Sequence, residues 1–347
     1  MNSKERVLVT FDHREPDRVP MWCGASEEFW NKAKEELQLD DEGLRVRFHD
    51  DFRRVSAKYL GPAELTEKDA TYLTPFGIER HGLGYGQPYD HPLANAGLDE
   101  VHGYPWPDPE WNDVSGIRQD ASKYYDQYAI LGGDWSPFWH DLIDLLGMEN
   151  LFIKMYTEPE VVSVILQHIV DYYLESSKRI FNVAADKIDI FFIGNDFGSQ
   201  SGPLLDESLF RTFILPHLKK LIELGHDFKL KVMLHCCGGF RQLIPSMIEA
   251  GLDALHAVQP SCVGMNLVGL KKEFGDKIVF NGCIDSHHIL IKGDPGTVEK
   301  GTREVLDIMM PGGGFIAGAS HDTILEETPV ENVLTMFDTI EKYGSYQ

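Results

Sequence analysis

Short apolar runs alternate with longer amphipathic stretches along most of this chain. The runs Arg18–Cys23, Tyr128–Gly133, Ile188–Gly194, Lys231–His235, Ala254–Val258, Lys277–Gly282 and Gly314–Gly318 read as strands. Several are apolar at consecutive positions, the pattern of strands covered on both faces of a parallel sheet. The stretches 27–37, 209–224 and one ending at Ala250 read as helices, with Pro216 expected to kink the second. Seven or eight such units predict an α/β fold, most economically a closed (β/α)8 TIM-type barrel, with an open doubly wound sheet as the runner-up. No glycine-rich phosphate loop follows the early strands, which weighs against dinucleotide binding.

Residues 61–118 break the pattern. They are rich in glycine, proline and aromatics, with turns such as Tyr104-Pro105-Trp106-Pro107-Asp108-Pro109. The expectation is a single domain over 1–347, with 61–118 as an irregular excursion, containing hairpins, over the barrel mouth. Tyr85, Tyr89 and Trp106 are candidates for an apolar lid there, and packing onto the barrel is their plainer role.

Charge and cysteine usage narrow the function. A net charge of −23 weighs against nucleic acid, anionic membrane surfaces and polyanionic substrates. No apolar run approaches the ~20 residues that span a bilayer. Met1-Asn2-Ser3-Lys4-Glu5-Arg6 leads straight into a helix-like segment, so no signal peptide is expected. The five cysteines are odd in number and two are adjacent, which predicts free thiols and a cytoplasmic protein.

The densest chemistry is His235-Cys236-Cys237-Gly238-Gly239. Alternation on a strand puts His235 and Cys237 on one face and Cys236 on the other. Imidazole and thiolate are zinc ligands, and α/β proteins bind ligands at the carboxyl ends of strands. A structural histidine beside a buried cysteine is the plainer alternative. Other polar residues also follow strands: Asn195-Asp196, Gln259, Cys283, Asp285 and His321-Asp322. Each has a bland role too. Asp196 and Asp285 are helix-cap candidates, Cys283 suits a small buried site, and His287-His288 suits a solvated helix surface.

On these residues the chain resembles the uroporphyrinogen decarboxylase superfamily, which includes zinc-dependent, corrinoid-linked methyltransferases. Arg18-Val19-Pro20-Met21-Trp22 resembles the opening strand, and Phe48-His49-Asp50-Asp51 resembles a Phe-Ser-Asp segment that puts Asp50 on the catalytic aspartate. Gly202-Pro203 through Pro216, Asn281-Gly282-Cys283-Ile284-Asp285, and Gly318-Ala319-Ser320-His321 with Glu327-Thr328-Pro329 resemble further signatures. The decarboxylases carry an Arg-Gln-Ala-Gly-Arg run that grips substrate carboxylates; here Cys23-Gly24-Ala25-Ser26-Glu27-Glu28 stands instead. The resemblance therefore implies that uroporphyrinogen is not the substrate.

His235-Cys236-Cys237-Gly238 matches the methyltransferase branch, whereas His321 stands where that branch has a cysteine and the decarboxylases a histidine. The implied zinc ligands are His235, Cys237 and His321, with Cys283 next in line, and Asp50, Asp196 and Asp285 are the implied acid/base or orienting groups. The implied activity moves a methyl group between a small methoxylated or methylated substrate and the cobalt of a separate corrinoid protein. Three alternatives stand beside it: corrinoid-to-thiol methyl transfer, a decarboxylase or lyase acting on a small acid, and a non-catalytic metal-binding partner.

Overall fold

Seven parallel strands pair strictly in chain order: β1 (Phe52–Arg54), β2 (Ala129–Gly132), β3 (Ile190–Gly194), β4 (Lys231–His235), β5 (Ala254–Val258), β6 (Val279–Ile284) and β7 (Phe315–Ala319). They belong to a computed structural model that describes residues 1–82 and 86–346. Helices connect most successive strands, as parallel pairing demands. α1 (Glu27–Leu37) precedes β1, the connecting helices include α2 (Phe138–Leu146), α3 (Pro159–Ala184), α4 (Leu215–Asp227) and α5 (Leu267–Phe274), and α6 (Val330–Tyr343) follows β7.

Strand alternation separates two cores. Phe52, Leu131, Phe192, Met233, Val279 and Ile316 pack together inside the sheet with Trp22. Phe191, Ile193, Val232, Leu234 and Phe280 face the helices in the outer core. Residues from both edge strands, β1 and β7, meet in the inner cluster, so the sheet is curled.

The run at 18–23, expected as a short strand, forms only isolated bridges. Trp22 N–H donates to Ala317 O at 2.9 Å and Ala317 N–H to Pro20 O at 2.8 Å. On the other side Asp51 N–H donates to Met21 O at 3.0 Å. The edge strand β1 comes instead from Phe52-Arg53-Arg54, where two arginines hide the pattern. Around Pro216 the helix breaks as its chemistry requires: a π-helical turn over Phe210–Ile214 precedes α4, and the proline falls in the first turn of α4.

Parts of the excursion pack along α3. Phe76 is buried edge-on against Tyr172 and Tyr173, and the Trp106 ring stacks on His168 at 4.6 Å. Trp106 is therefore a packing residue, because its face is already covered. Tyr89 donates to Asp69 at the surface, and Tyr85 lies outside the described residues. Among the described residues no helix is long and apolar enough to cross a membrane.

Candidate metal centre

The end of β4 and the two residues after it place His235 and Cys237 on one side, as alternation predicts. His235 Nε2 lies 3.2 Å from Cys237 Sγ. Cys236 turns to the opposite side, where its sulfur accepts the Phe197 N–H at 3.4 Å. The loop after β3 brings Asp196, whose Oδ1 is 3.3 Å from His235 Nε2 and accepts the Cys237 N–H at 2.7 Å. His140, in the first turn of α2, meets the other carboxylate oxygen at 3.2 Å. The ligand atoms of Asp196, His235 and Cys237 all lie within 4.8 Å of one another.

Two glycines let these loops meet. A Cβ on Gly198 would lie 2.6 Å from Cys237 O, and one on Gly238, at φ +88°, would lie 2.5 Å from Gly198 C. The chains after β3 and β4 therefore run backbone to backbone, tied by Gly239 N–H donating to Ser199 O at 2.8 Å. Gln259 holds the same turn by accepting the Gly238 N–H at 2.8 Å.

The other face of the His235 ring edge looks into the sheet. Its Nδ1 is 3.1 Å from His256 Nδ1 and 3.9 Å from Asp322 Oδ1, a second cluster with metal-ligand geometry. His256 is fully buried, packed against Trp22 at 4.7 Å and Phe192 at 5.3 Å. Trp135 stacks on His235 at 5.7 Å, a position open only because residue 194 is glycine: a Cβ there would sit 1.9 Å from the indole.

Burial opposes every charge here; the neighbours override it at His235 and Asp196, while burial prevails at Cys237 and His256. Burial lowers the His235 pKa, but Cys237, Asp322 and Asp196 together hold it well above the ordinary value. Burial would raise Asp196, yet hydrogen bonds with His140 and His235 keep it well below the usual carboxylate range. Burial raises the Cys237 thiol against the lowering pull of His235, with Asp196 and Asp322 adding to the rise. His256 is pushed well down by burial and by its neighbour His235.

The remaining candidates fall elsewhere. Asp50 precedes β1, at the amino end of the sheet rather than the carboxyl end, and is paired with Arg45 at 2.7 Å. Its carboxyl is pushed up to about 6 by burial. Asp285 caps the π-helical turn Ser286–Ile291, accepting the N–H groups of His287 and His288. The His321 ring faces Thr323, 3.0 Å from its carbonyl, and is not in either metal-ligand group. Cys283 is buried in the outer core near Lys271, because positive φ angles at Gly282 and Cys283 break the alternation of β6. Glu27 and Glu28 occupy the first turn of α1, behind the Ser26 cap.

His140, His256 and Trp135 escaped the sequence reading. His256 shares the inward parity of Ala254 and the register of His235, which is the signal that marks it. His140 lies in a helix and carried no comparable signal.

Behind the site, Asp141 is buried against Tyr173, and burial pushes its carboxyl up to about 7. A folded-state value above the unfolded 3.8 stabilises the fold at low pH, and that contribution is lost as pH rises through about 7. Asp141→Asn is neutral throughout, so its stability relative to the native chain should grow by about 2 kcal/mol from pH 5.5 to 8. Urea unfolding at the two pH values measures this; parallel curves would refute it.

Fold and site together define an α/β protein with a histidine–thiol–carboxylate cluster at the carboxyl ends of adjacent parallel strands. The family described as uroporphyrinogen decarboxylase (URO-D) matches residues 116–343, and the chain belongs to that family. A methylcobamide:CoM methyltransferase, MtbA, from Methanosarcina mazei is 23% identical over 232 residues. That match covers 66% of this chain and 63% of the relative, so it spans less than two thirds of the relative's length. A uroporphyrinogen decarboxylase from Acinetobacter baumannii is 24% identical over 263 residues, 73% of this chain and 66% of the relative. A solved methyltransferase from Methanosarcina mazei shares the fold over 99% of both chains, with a TM-score of 0.70 at 15% identity.

Proposed function

We propose that this chain is a zinc-dependent methyltransferase that moves a methyl group from a small methoxylated or methylated substrate to the cobalt of a partner corrinoid protein. The observation that carries the reading is the convergence of His235, Cys237 and Asp196. Ligands at ~2.0–2.3 Å around a tetrahedral zinc stand roughly 3.3–3.8 Å apart. The separations of 3.2 and 3.3 Å from His235 Nε2 stand at the short edge of that spacing. Bound there, zinc would supply a Lewis acid to the oxygen that loses its methyl group.

The chain's own residues prepare the site. With Nε2 committed to the metal, His235 donates its Nδ1–H to His256 Nδ1, which fixes the ring as outer partners of metal-bound histidines do. The His256 N–H then points among the Trp22 and Phe192 rings, a weak N–H to π contact. His140 steadies Asp196. The segment Pro20–Trp22 acts as the eighth stave of a closed barrel, and 1–347 acts as one domain with 61–118 set on it. MtbA acts, by its name, between methylcobamide and CoM; one thiolate and one carboxylate here favour an oxygen-bound methyl group instead.

The overall reaction consumes a methyl ether, cob(I)alamin and a proton, and gives methylcobalamin and the alcohol. The test is zinc-loaded protein mixed with cob(I)alamin and a panel of methoxylated and methylated compounds, followed by visible spectroscopy. The expected result is methylcobalamin formation that disappears on zinc removal, with uroporphyrinogen left unchanged. Zinc-loaded protein that demethylates no donor refutes the reading.

A further inference from the structure

Asn195 is fully buried beside the metal centre, just past β3 and one residue before Asp196. Its N–H donates to His235 O at 2.9 Å. Its side-chain Nδ2 donates to Ser136 O at 3.0 Å, and its Oδ1 accepts the Trp139 N–H at 2.9 Å. These bonds reach the three segments that carry His235, Trp135 and His140.

The polarity of the two side-chain partners fixes the residue type. One is a carbonyl and the other an N–H, so the side chain must donate at one atom and accept at another. A carboxylate only accepts, and an aliphatic side chain does neither. The first N–H groups of a helix have no partner within it, and α2 starts behind Pro137 with no side-chain cap of its own. Asn195 caps α2 from a different element. The next residue of α2 is His140, and the residue after Asn195 is Asp196, whose carboxylate meets the His140 ring at 3.2 Å. The pairs Asn195–Asp196 and Trp139–His140 are therefore tied at both positions.

The donated bond holds another wall of the site. Ser136 is buried at φ +53°, a left-handed conformation that a non-glycine residue keeps only when its surroundings impose it. Two bonds from the end of β3 bracket that turn: Asn195 Nδ2 to Ser136 O, and Gly194 N–H to Trp135 O at 2.8 Å. The turn carries the indole that stacks on His235.

We propose that Asn195 is the positioning residue of this centre, setting Asp196, His140 and Trp135 against His235 before a metal arrives. It acts through those residues and is not itself a ligand. Its effect on metal affinity rests on the zinc reading above, whereas its capping of α2 stands without metal.

The test compares Asn195→Leu with Asn332→Leu in the full chain. Asn332 is a second buried asparagine, on α6, whose Nδ2 donates to Leu290 O at 2.9 Å and Gly293 O at 2.8 Å, outside the segments that carry the cluster. Chelator competition reads zinc affinity, and hydrogen exchange on the metal-free chain reads the Trp139 amide. Asn195→Leu should lower zinc affinity by ~10–100-fold, the range for outer partners of metal ligands, and Asn332→Leu by less than about threefold. Only Asn195→Leu should speed exchange of the Trp139 amide, by at least about tenfold relative to amides later in α2. Asn195→Ser, which leaves room for water to reach the freed N–H, should also lose at least about tenfold in zinc affinity, and it carries the comparison if the leucine variant does not fold. Native zinc affinity in the Asn195 variants, an equal loss in Asn332→Leu, or an unchanged Trp139 amide overturns the proposal. A native chain that takes up no zinc, with Trp139 exchange quickened only in the Asn195 variants, refutes the zinc reading and upholds Asn195 as the cap of α2.

Discussion

Cys237→Ala is expected to leave the purified protein almost free of zinc, while Cys236→Ala retains about one ion per chain. The two residues are adjacent, yet their sulfurs lie on opposite sides of the chain. The Cys237 sulfur stands 3.2 Å from His235 Nε2, whereas the Cys236 sulfur accepts a backbone N–H from Phe197. Removing a direct ligand should weaken zinc binding by on the order of 10³-fold, beyond the ~10–100-fold typical of outer partners. Cys236→Ala costs the fold instead, about 1–2 kcal/mol for a lost acceptor and a small void. Elemental analysis and chelator competition give the zinc stoichiometry and affinity, and urea unfolding gives the stability. Equal zinc loss in both variants would show that the sulfurs are not sorted as described.

The second large effect separates Asp196 from His321. Asp196→Ala should lower zinc affinity by on the order of 10² or more, because it removes a ligand atom and the acceptor that fixes the Cys237 N–H. His321→Ala should change it by less than about tenfold, since that ring is engaged with Thr323. The sequence comparison with methyltransferases ranked these two the other way round. An affinity loss in His321→Ala as large as in Asp196→Ala would restore the original ranking.

Much of the fold was written in the apolar runs, because a strand covered on both faces must be apolar at consecutive positions. β2 to β7 each fall on a run read as a strand. β1 was not legible: Phe52-Arg53-Arg54 alternates inward and outward, but its arginines pair with Glu42 or stand against aromatic rings, contacts that no local pattern announces. For the site, strand parity and the strand-end rule brought out His235, Cys237 and Asp196. Cys283, offered for its place at a strand end, turns into the outer core because two successive positive φ angles re-aim the chain there. Asp50 was misplaced for a different reason. Its position relative to the mouth depends on where β1 starts, and the chain starts that strand just after the aspartate.

The backbone contact between Gly198 and Gly238 has a consequence for which ion is taken up. It clamps the Asp196 and Cys237 loops together, so the spacing of the two backbones that carry the carboxylate and the thiol is held by main-chain contact. Calcium, which prefers six to eight oxygens at roughly 2.3–2.6 Å, would find too few donors and too narrow a gap. Magnesium would find a sulfur and a nitrogen in place of the octahedral oxygens it demands. With the zinc site proposed above, discrimination against calcium and magnesium would rest in part on two residues that have no side chain at all.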